Sequence, residues 1–234
     1  MPRLPSLLHP PIGFAHRGAR AHAPENTLDS FQLALRLGAT GLESDVWLTK
    51  DGQAVLDHDG LIGTRLRRRS IGDVQRTSLP SHIPTLRELY KTCGTDFHLS
   101  LDVKDSAAAE ASVAVAREFG AAERLWICHH RFDQVAAWRE PFPEVKLVDS
   151  TRLRRLKAGP ERRAADLAKA GIDAVNLHYD DWSGGLVALF HRFEVYAFGW
   201  DVQFERQLDA LLDMGIDGVY SDHVDRMVDA LSRV

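Results

Sequence analysis

Short apolar runs alternate with amphipathic ones along the whole chain. The apolar runs, read as strands, fall near 12–16, 42–47, 97–103, 124–128, 144–149, 173–178, 194–200 and 217–221. The amphipathic runs, read as helices, fall near 27–37, 84–93, 106–119, 131–139, 160–170, 184–191, 203–213 and 224–233. In the first of them Leu28, Phe31, Ala34 and Leu35 recur at the spacing of one helical face, and Asn26 or Thr27 is placed to cap its start. The strands are short continuous apolar runs, as expected when helices cover one side and side chains fill the other. One junction recurs. Gly38, Gly94, Gly120, Gly171 and Gly215 each follow an amphipathic run and precede an apolar one. Glycine just past a helix end takes the left-handed conformation at little cost. Five such helix-to-strand junctions argue for α/β alternation with parallel strands. Eight strands and eight helices without a composition break predict a closed (β/α)8 barrel, with a doubly wound open sheet as the rival.

Length agrees. The 234 residues spread over eight units give about 29 residues per unit, near one strand–helix repeat, and we expect one domain over 1–234. One segment breaks the alternation. Between strand two and helix two lie residues 48–83, with a turn at Lys50-Asp51-Gly52 and an apolar run Ala54-Val55-Leu56. They predict a small hairpin arm projecting from the barrel mouth, where long loops carry function. The chain is 44% hydrophobic and 26% charged, the balance of a globular protein and not of a disordered or collagen-like one. With 29 Lys+Arg against 33 Asp+Glu the net charge is −4, which argues against a general nucleic-acid binder. Cys93 and Cys128 are too few for a zinc framework and read as buried thiols in a reducing cytoplasm. Residues 1–11 lack the long apolar stretch of a signal peptide, and no run of 18 apolar residues predicts a transmembrane helix. Peripheral membrane contact and oligomeric state stay open.

In such a barrel the C-terminal strand ends share one mouth. Strand one ends in His16-Arg17-Gly18, strand two carries Glu43 and Asp45, the arm offers His58-Asp59, and strand three ends in Asp102-Val103-Lys104. Residues two apart on a strand face the same side, so Glu43 pairs with Asp45 and Asp102 with Lys104. Three converging carboxylates repel one another unless a divalent cation or a basic neighbour joins them. All-oxygen ligation by Glu43, Asp45 and Asp102 suits Mg²⁺ or Ca²⁺ better than zinc. Arg17 and Lys104 can hold phosphate oxygens, and His16 and His58 titrate near neutrality as general acid and base. Together they describe metal-assisted cleavage of a phosphate ester. The plainer alternative is a structural ion-pair network of Glu43 and Asp45 with Arg17 and Lys104.

The order of motifs goes further. Phe14-Ala15-His16-Arg17-Gly18, Ala23-Pro24-Glu25-Asn26-Thr27, Glu43-Ser44-Asp45-Val46, Thr49-Lys50-Asp51-Gly52 and Leu56-Asp57-His58-Asp59 closely resemble the glycerophosphodiester phosphodiesterase family. Ile83-Pro84-Thr85-Leu86, Phe198-Gly199-Trp200-Asp201-Val202 and Asp217-Gly218-Val219-Tyr220-Ser221-Asp222 are similar to its later signatures. The resemblance covers nearly the whole chain and is strongest over 12–60. It implies a TIM barrel that hydrolyses a small-molecule glycerophosphodiester to glycerol 3-phosphate and an alcohol. It implies His16 and His58 as the acid–base pair, and Glu43, Asp45 and Asp102 as ligands of one cation, Mg²⁺ or Ca²⁺. Arg17 and Lys104 would contact phosphate, Glu25 and Asn26 would line the site, and Trp200 would pack against the glycerol end. Hydrolysis of lysophospholipids in phospholipase D fashion, or silent phosphate binding, are the alternatives. In the family the phosphate is attacked either by the substrate's own hydroxyl or by water.

Three departures accompany the resemblance. The strand-three acid is Asp102 where the family usually has Glu. The strand-seven motif reads Trp200-Asp201-Val202-Gln203 rather than Trp-Thr-Val-Asn, adding a negative charge near the mouth. The arm after His58 is short. His129-His130 and His178-Tyr179 end strands four and six and read as rim polar residues, because neighbouring strand residues face opposite sides. Two arginine-rich stretches, 65–69 and 152–157, fall in loops of the same face. They are either a solvated charged surface or a field that steers anionic substrate or docks on anionic lipid.

Overall fold

The computed structural model describes residues 3–64 and 67–234. Eight parallel strands close a barrel: β1 (Ile12–Ala15), β2 (Gly41–Leu48), β6 (His98–Val103), β7 (Leu125–His129), β8 (Lys146–Ser150), β9 (Ala174–His178), β10 (Tyr196–Trp200) and β11 (Gly218–Ser221). Neighbours pair in chain order, and β1 pairs with both β2 and β11, which closes the ring. Eight helices follow the strands: α1 (Leu28–Arg36), α2 (Leu86–Cys93), α3 (Ala108–Glu118), α4 (Phe132–Ala137), α5 (Pro160–Ala170), α6 (Gly184–His191), α7 (Glu205–Asp213) and α8 (Val224–Leu231). This is the (β/α)8 TIM barrel, with every sequence-derived strand and helix in place and the open sheet excluded. All five junction glycines hold positive φ, from 66° to 98°. Thr27 caps α1 by accepting from the Ser30 N–H. No helix among the described residues is long and apolar enough to cross a membrane.

Two layers of core follow from the strand pleat. Inward-facing Ile12, Phe14, Trp126, Cys128, Val148, Ala174, Phe198 and Tyr220 fill the barrel. Phe14 stacks on Tyr220 at 4.6 Å and meets Phe198 edge-on at 5.6 Å. The alternate residues pack against the helices as a larger outer layer. The rings fill the lower barrel, so the polar inward residues gather at the upper mouth.

The 48–83 insertion contains the expected hairpin and more. β2 runs past the barrel and turns back at Lys50-Asp51-Gly52 into β3 (Ala54–Leu56), which pairs antiparallel with it. Two short strands, β4 (Leu61–Ile62) and β5 (Arg69–Ser70), form a second hairpin. Rather than projecting, the arm folds over a small core of its own: Val55, Ile71, Val74, Leu79 and Ile83. Burying that apolar set holds the segment against the barrel. Residues 65 and 66 of the first arginine-rich stretch lie outside the described residues.

Candidate active site

His16 follows β1 directly, and its backbone N–H donates to the Ser221 carbonyl of β11. That pairing sets the first residue after β1 beside the first after β11. There His16 Nδ1 lies 2.6 Å from Asp222 Oδ1. A carboxylate only accepts, so Nδ1 carries the proton, and Nε2 is left facing Glu43 Oε2 at 3.8 Å. Burial alone would lower the His16 pKa; the charge of Glu43 and the hydrogen bond to Asp222 outweigh it and raise the pKa. Asp222 also pairs with Arg20 at 3.2 Å. Sequence pattern alone assigns no role to Asp222, the last residue of the motif that ends strand eight. Its position one residue past the last strand, next to strand one in any closed eight-stranded barrel, was the signal that could have found it.

The turn after His16 is tight. Arg17 adopts φ 53° and Gly18 φ 78°. A Cβ on Gly18 would come within 2.5 Å of Ser30 Oγ and 2.9 Å of the Ser30 carbonyl carbon, so only glycine fits. The turn aims the Arg17 N–H at Glu43 Oε2, 2.9 Å away. Its guanidinium spans Glu25, at 3.1 Å, and Asp45 Oδ2, at 3.4 Å.

Glu43 and Asp45 face into the barrel side by side, 6% and 3% exposed. Burial first, and then the charge of Asp45, push the Glu43 carboxyl up to about 7 against the opposing pull of His16. Asp45 Oδ2 is buried without a hydrogen-bond partner. Lys104 Nζ reaches both Asp45 Oδ1, at 2.9 Å, and Asp102 Oδ2, at 2.5 Å. The register places Asp45 opposite Asp102. An oxygen-only set with a raised carboxyl, and with an Asp45 oxygen that meets only the Arg17 guanidinium at 3.4 Å and accepts no hydrogen bond, has the donor chemistry of a hard divalent cation. In the structure as it stands, the Lys104 ammonium supplies the positive charge between Asp45 and Asp102. The tightest His/acid group among the described residues is elsewhere: His22, His223 and Asp225 bring their ligand atoms within 4.8 Å of one another at the outer rim.

These residues line one cavity of about 440 Å³ at the mouth. His16, Arg17, Glu43, Asp45, Asp102, Lys104 and Trp200 all face it, joined by residues sequence reasoning passed over: Arg20, Ser100, Ser150, Asn176, Gln203 and Tyr220. Three expected residues stand apart from its lining. Glu25 lies outside it and braces Arg17 and Arg20. Asn26 is buried against the outer face of β2, accepting from Ser44 Oγ at 2.7 Å. Ser44 alternates with Glu43 and Asp45 and so points away from the barrel interior. His58 sits on the loop after β3, its Nδ1 2.8 Å from Asp59. The Asp57 N–H donates to the Asp45 carbonyl, so the hairpin carries His58 back to the carboxylate strand at the rim.

The other rim residues have local roles. His129 Nδ1 accepts from the Arg131 N–H, and His178 Nδ1 from the Asp180 N–H. Arg152 pairs with Asp181 at 2.7 Å and lies over the Trp200 ring, 5.6 Å from its centroid. Cys93 and Cys128 are both unpaired thiols, Cys128 buried and Cys93 half-buried.

Residues 16–82 match the Glycerophosphoryl diester phosphodiesterase family. Over 244 residues the chain is 31% identical to the probable glycerophosphodiester phosphodiesterase 2 of Mycobacterium tuberculosis, covering 94% of this chain and 90% of that one. In fold it is similar to a glycerophosphoryl diester phosphodiesterase structure from Silicibacter pomeroyi, with TM-score 0.85, 20% identity and coverage of 99% and 95% of the two chains. It is also similar in fold to an Oleispira antarctica phosphodiesterase solved with the product sn-glycerol-3-phosphate, with TM-score 0.81, 23% identity and coverage of 95% and 97%. Barrel and motifs therefore define an enzyme of the phosphoric diester hydrolase class. More narrowly, the chain belongs to the glycerophosphodiester phosphodiesterase family.

Proposed function

We propose that the protein hydrolyses glycerophosphodiesters to sn-glycerol 3-phosphate and an alcohol, with His16 and His58 as the acid–base pair. The observation that carries this reading is the fixed imidazole of His16, protonated at Nδ1 toward Asp222 and open at Nε2 toward the cavity. A neutral imidazole held in that tautomer accepts a proton at Nε2. His16 thus takes a proton from the attacking water as the water oxygen bonds to phosphorus. His58 gives a proton to the departing alcohol oxygen as its bond to phosphorus breaks. Arg17 and Lys104 bind the non-bridging oxygens. Glu43, Asp45 and Asp102 would hold one divalent cation, Mg²⁺ or Ca²⁺, which supplies charge neutralisation at those oxygens. Asp222 fixes the ring of His16 and is a positioning residue. The closed ring of eight strands, with the helices packed on it, supports reading 1–234 as one catalytic domain.

The test is release of sn-glycerol 3-phosphate from glycerophosphocholine with Mg²⁺, with Ca²⁺ and with EDTA, by the wild type and His16→Ala. Release needs a divalent cation, and His16→Ala lowers it by about 10²–10⁴. Hydrolysis that persists with EDTA and in His16→Ala refutes the mechanism. Lysophosphatidylcholine in the same assay separates water-soluble diesters from lysolipids as the favoured class.

A further inference from the structure

Across the cavity from the acids, the wall has different chemistry. Glu43, Asp45 and Asp102 stand on β2 and β6, and His16 follows β1. The opposite arc is β9 and β10, neighbours in the ring. Asn176 faces inward from β9, lines the cavity and is only 5% exposed. Its Oδ1 is buried without any hydrogen-bond partner. A buried acceptor that lines a cavity and has no protein partner is one half of a contact.

One tier higher on the same face, Trp200 of β10 stands beside His178 of β9 in the strand register. Just past the strand end, Asp201 also lines the cavity. It holds φ 63°, in the left-handed region that aspartate visits more readily than most side chains. Two neighbours fix its carboxylate. Oδ2 lies 3.2 Å from His178 Nε2, and Oδ1 accepts from Gln203 Nε2 at 3.2 Å. Each oxygen keeps a further lone pair. A deep acceptor, an aromatic face and a rim acceptor suit a polyol: hydroxyls donate at either end and the carbon chain lies on the ring. An ammonium group suits the wall less well, because the Arg152 guanidinium already lies over Trp200.

We propose that Asn176 and Asp201 recognise the vicinal hydroxyls of the glyceryl group, Asn176 the inner one and Asp201 the outer. The inference rests on the glycerophosphodiester reading above and deepens it by orienting the substrate. The glyceryl end faces β9 and β10, and the departing alcohol faces the β2 side of the mouth, where the insertion carries His58.

The test compares ligands that differ only in the diol. Binding of sn-glycerol 3-phosphate and of propyl phosphate is measured by calorimetry, for the wild type, Asn176→Ala, Asn176→Ser, Asp201→Ala and Asp201→Asn. The wild type prefers glycerol 3-phosphate by about ten- to a hundredfold. Asn176→Ala and Asp201→Ala each collapse the ratio of the two affinities toward one, while Asp201→Asn, which keeps an acceptor, retains most of it. Melting curves identify any variant that fails to fold, and Asn176→Ser replaces Asn176→Ala in that case. A wild type without preference, or variants that weaken both ligands equally, overturn the proposal. The two readings fail separately. Hydrolysis of glycerophosphodiesters with no diol preference sinks this wall and leaves the function standing. Diol preference without hydrolysis sinks the function and leaves the wall.

Discussion

Asp149 shows how much one side chain can carry. It lies on β8, fully buried, and neither carboxylate oxygen has a hydrogen-bond partner. Arg163 of α5 approaches to 3.6 Å. Burial pushes the carboxyl up to about 6, and the arginine offsets only part of that. A folded pKa above the unfolded value near 3.9 favours the folded state most when the group is protonated. That contribution is present in full below about pH 4 and is lost as pH rises through about 6. It is worth on the order of 2–3 kcal/mol. Asp149→Asn is neutral at all pH, so its unfolding free energy relative to wild type rises between pH 4 and 7. Urea titrations at several pH values check this, and a difference that stays constant with pH contradicts it. At the same scale, Asp222→Asn removes a charge that raises the His16 pKa. The His16 titration followed by NMR then moves to lower pH, and turnover falls by about a hundredfold. Turnover unchanged with an unmoved titration would remove Asp222 from the mechanism.

Helices and strands were the most legible scale. The five junction glycines marked helix ends by a local conformational need, and the positive φ at each is that need met. Caps obey the same locality. Thr85 accepts from the Glu88 N–H, and Glu88 reaches back to the Thr85 N–H at 2.7 Å, a reciprocal box at the start of α2. Thr85→Ala therefore costs about 1 kcal/mol, read as a shift in urea midpoint with no change in slope. The hairpin was legible as well, from the turn at Lys50-Asp51-Gly52 and the apolar run Ala54-Val55-Leu56. What stayed hidden was how the rest of the insertion packs, over a small core of its own. The same hairpin decided where His58 stands, and alternation along β2 placed Asn26 behind the wall.

At the level of the whole molecule, the barrel interior and its charge field set two expectations. Gly218 packs under Phe198: an added Cβ would lie 2.9 Å from that ring and 3.3 Å from the Ile12 carbonyl. Gly218→Ala thus overpacks the barrel and costs about 1–3 kcal/mol in urea unfolding. The mouth also faces loops rich in arginine. Arg152 is paired with Asp181, but Arg154 and Arg155 are exposed. If they steer an anionic diester, kcat/KM falls as salt is added, and Arg154→Glu with Arg155→Glu flattens that slope. A flat profile in the wild type assigns them to a solvated surface.

By itself the sequence determined the elements, their order and the residue types available for phosphodiester chemistry, because caps, glycine turns and apolar periodicity act between chain neighbours. Tertiary structure decided which of those residues meet. His16 and Asp222 are 206 positions apart and touch only because strand one closes on the last strand. Asn176 became a candidate ligand-reading group only when its amide oxygen was found buried and unpartnered in the shared cavity. Both facts depend on ring closure, a long-range packing outcome that no local pattern encodes.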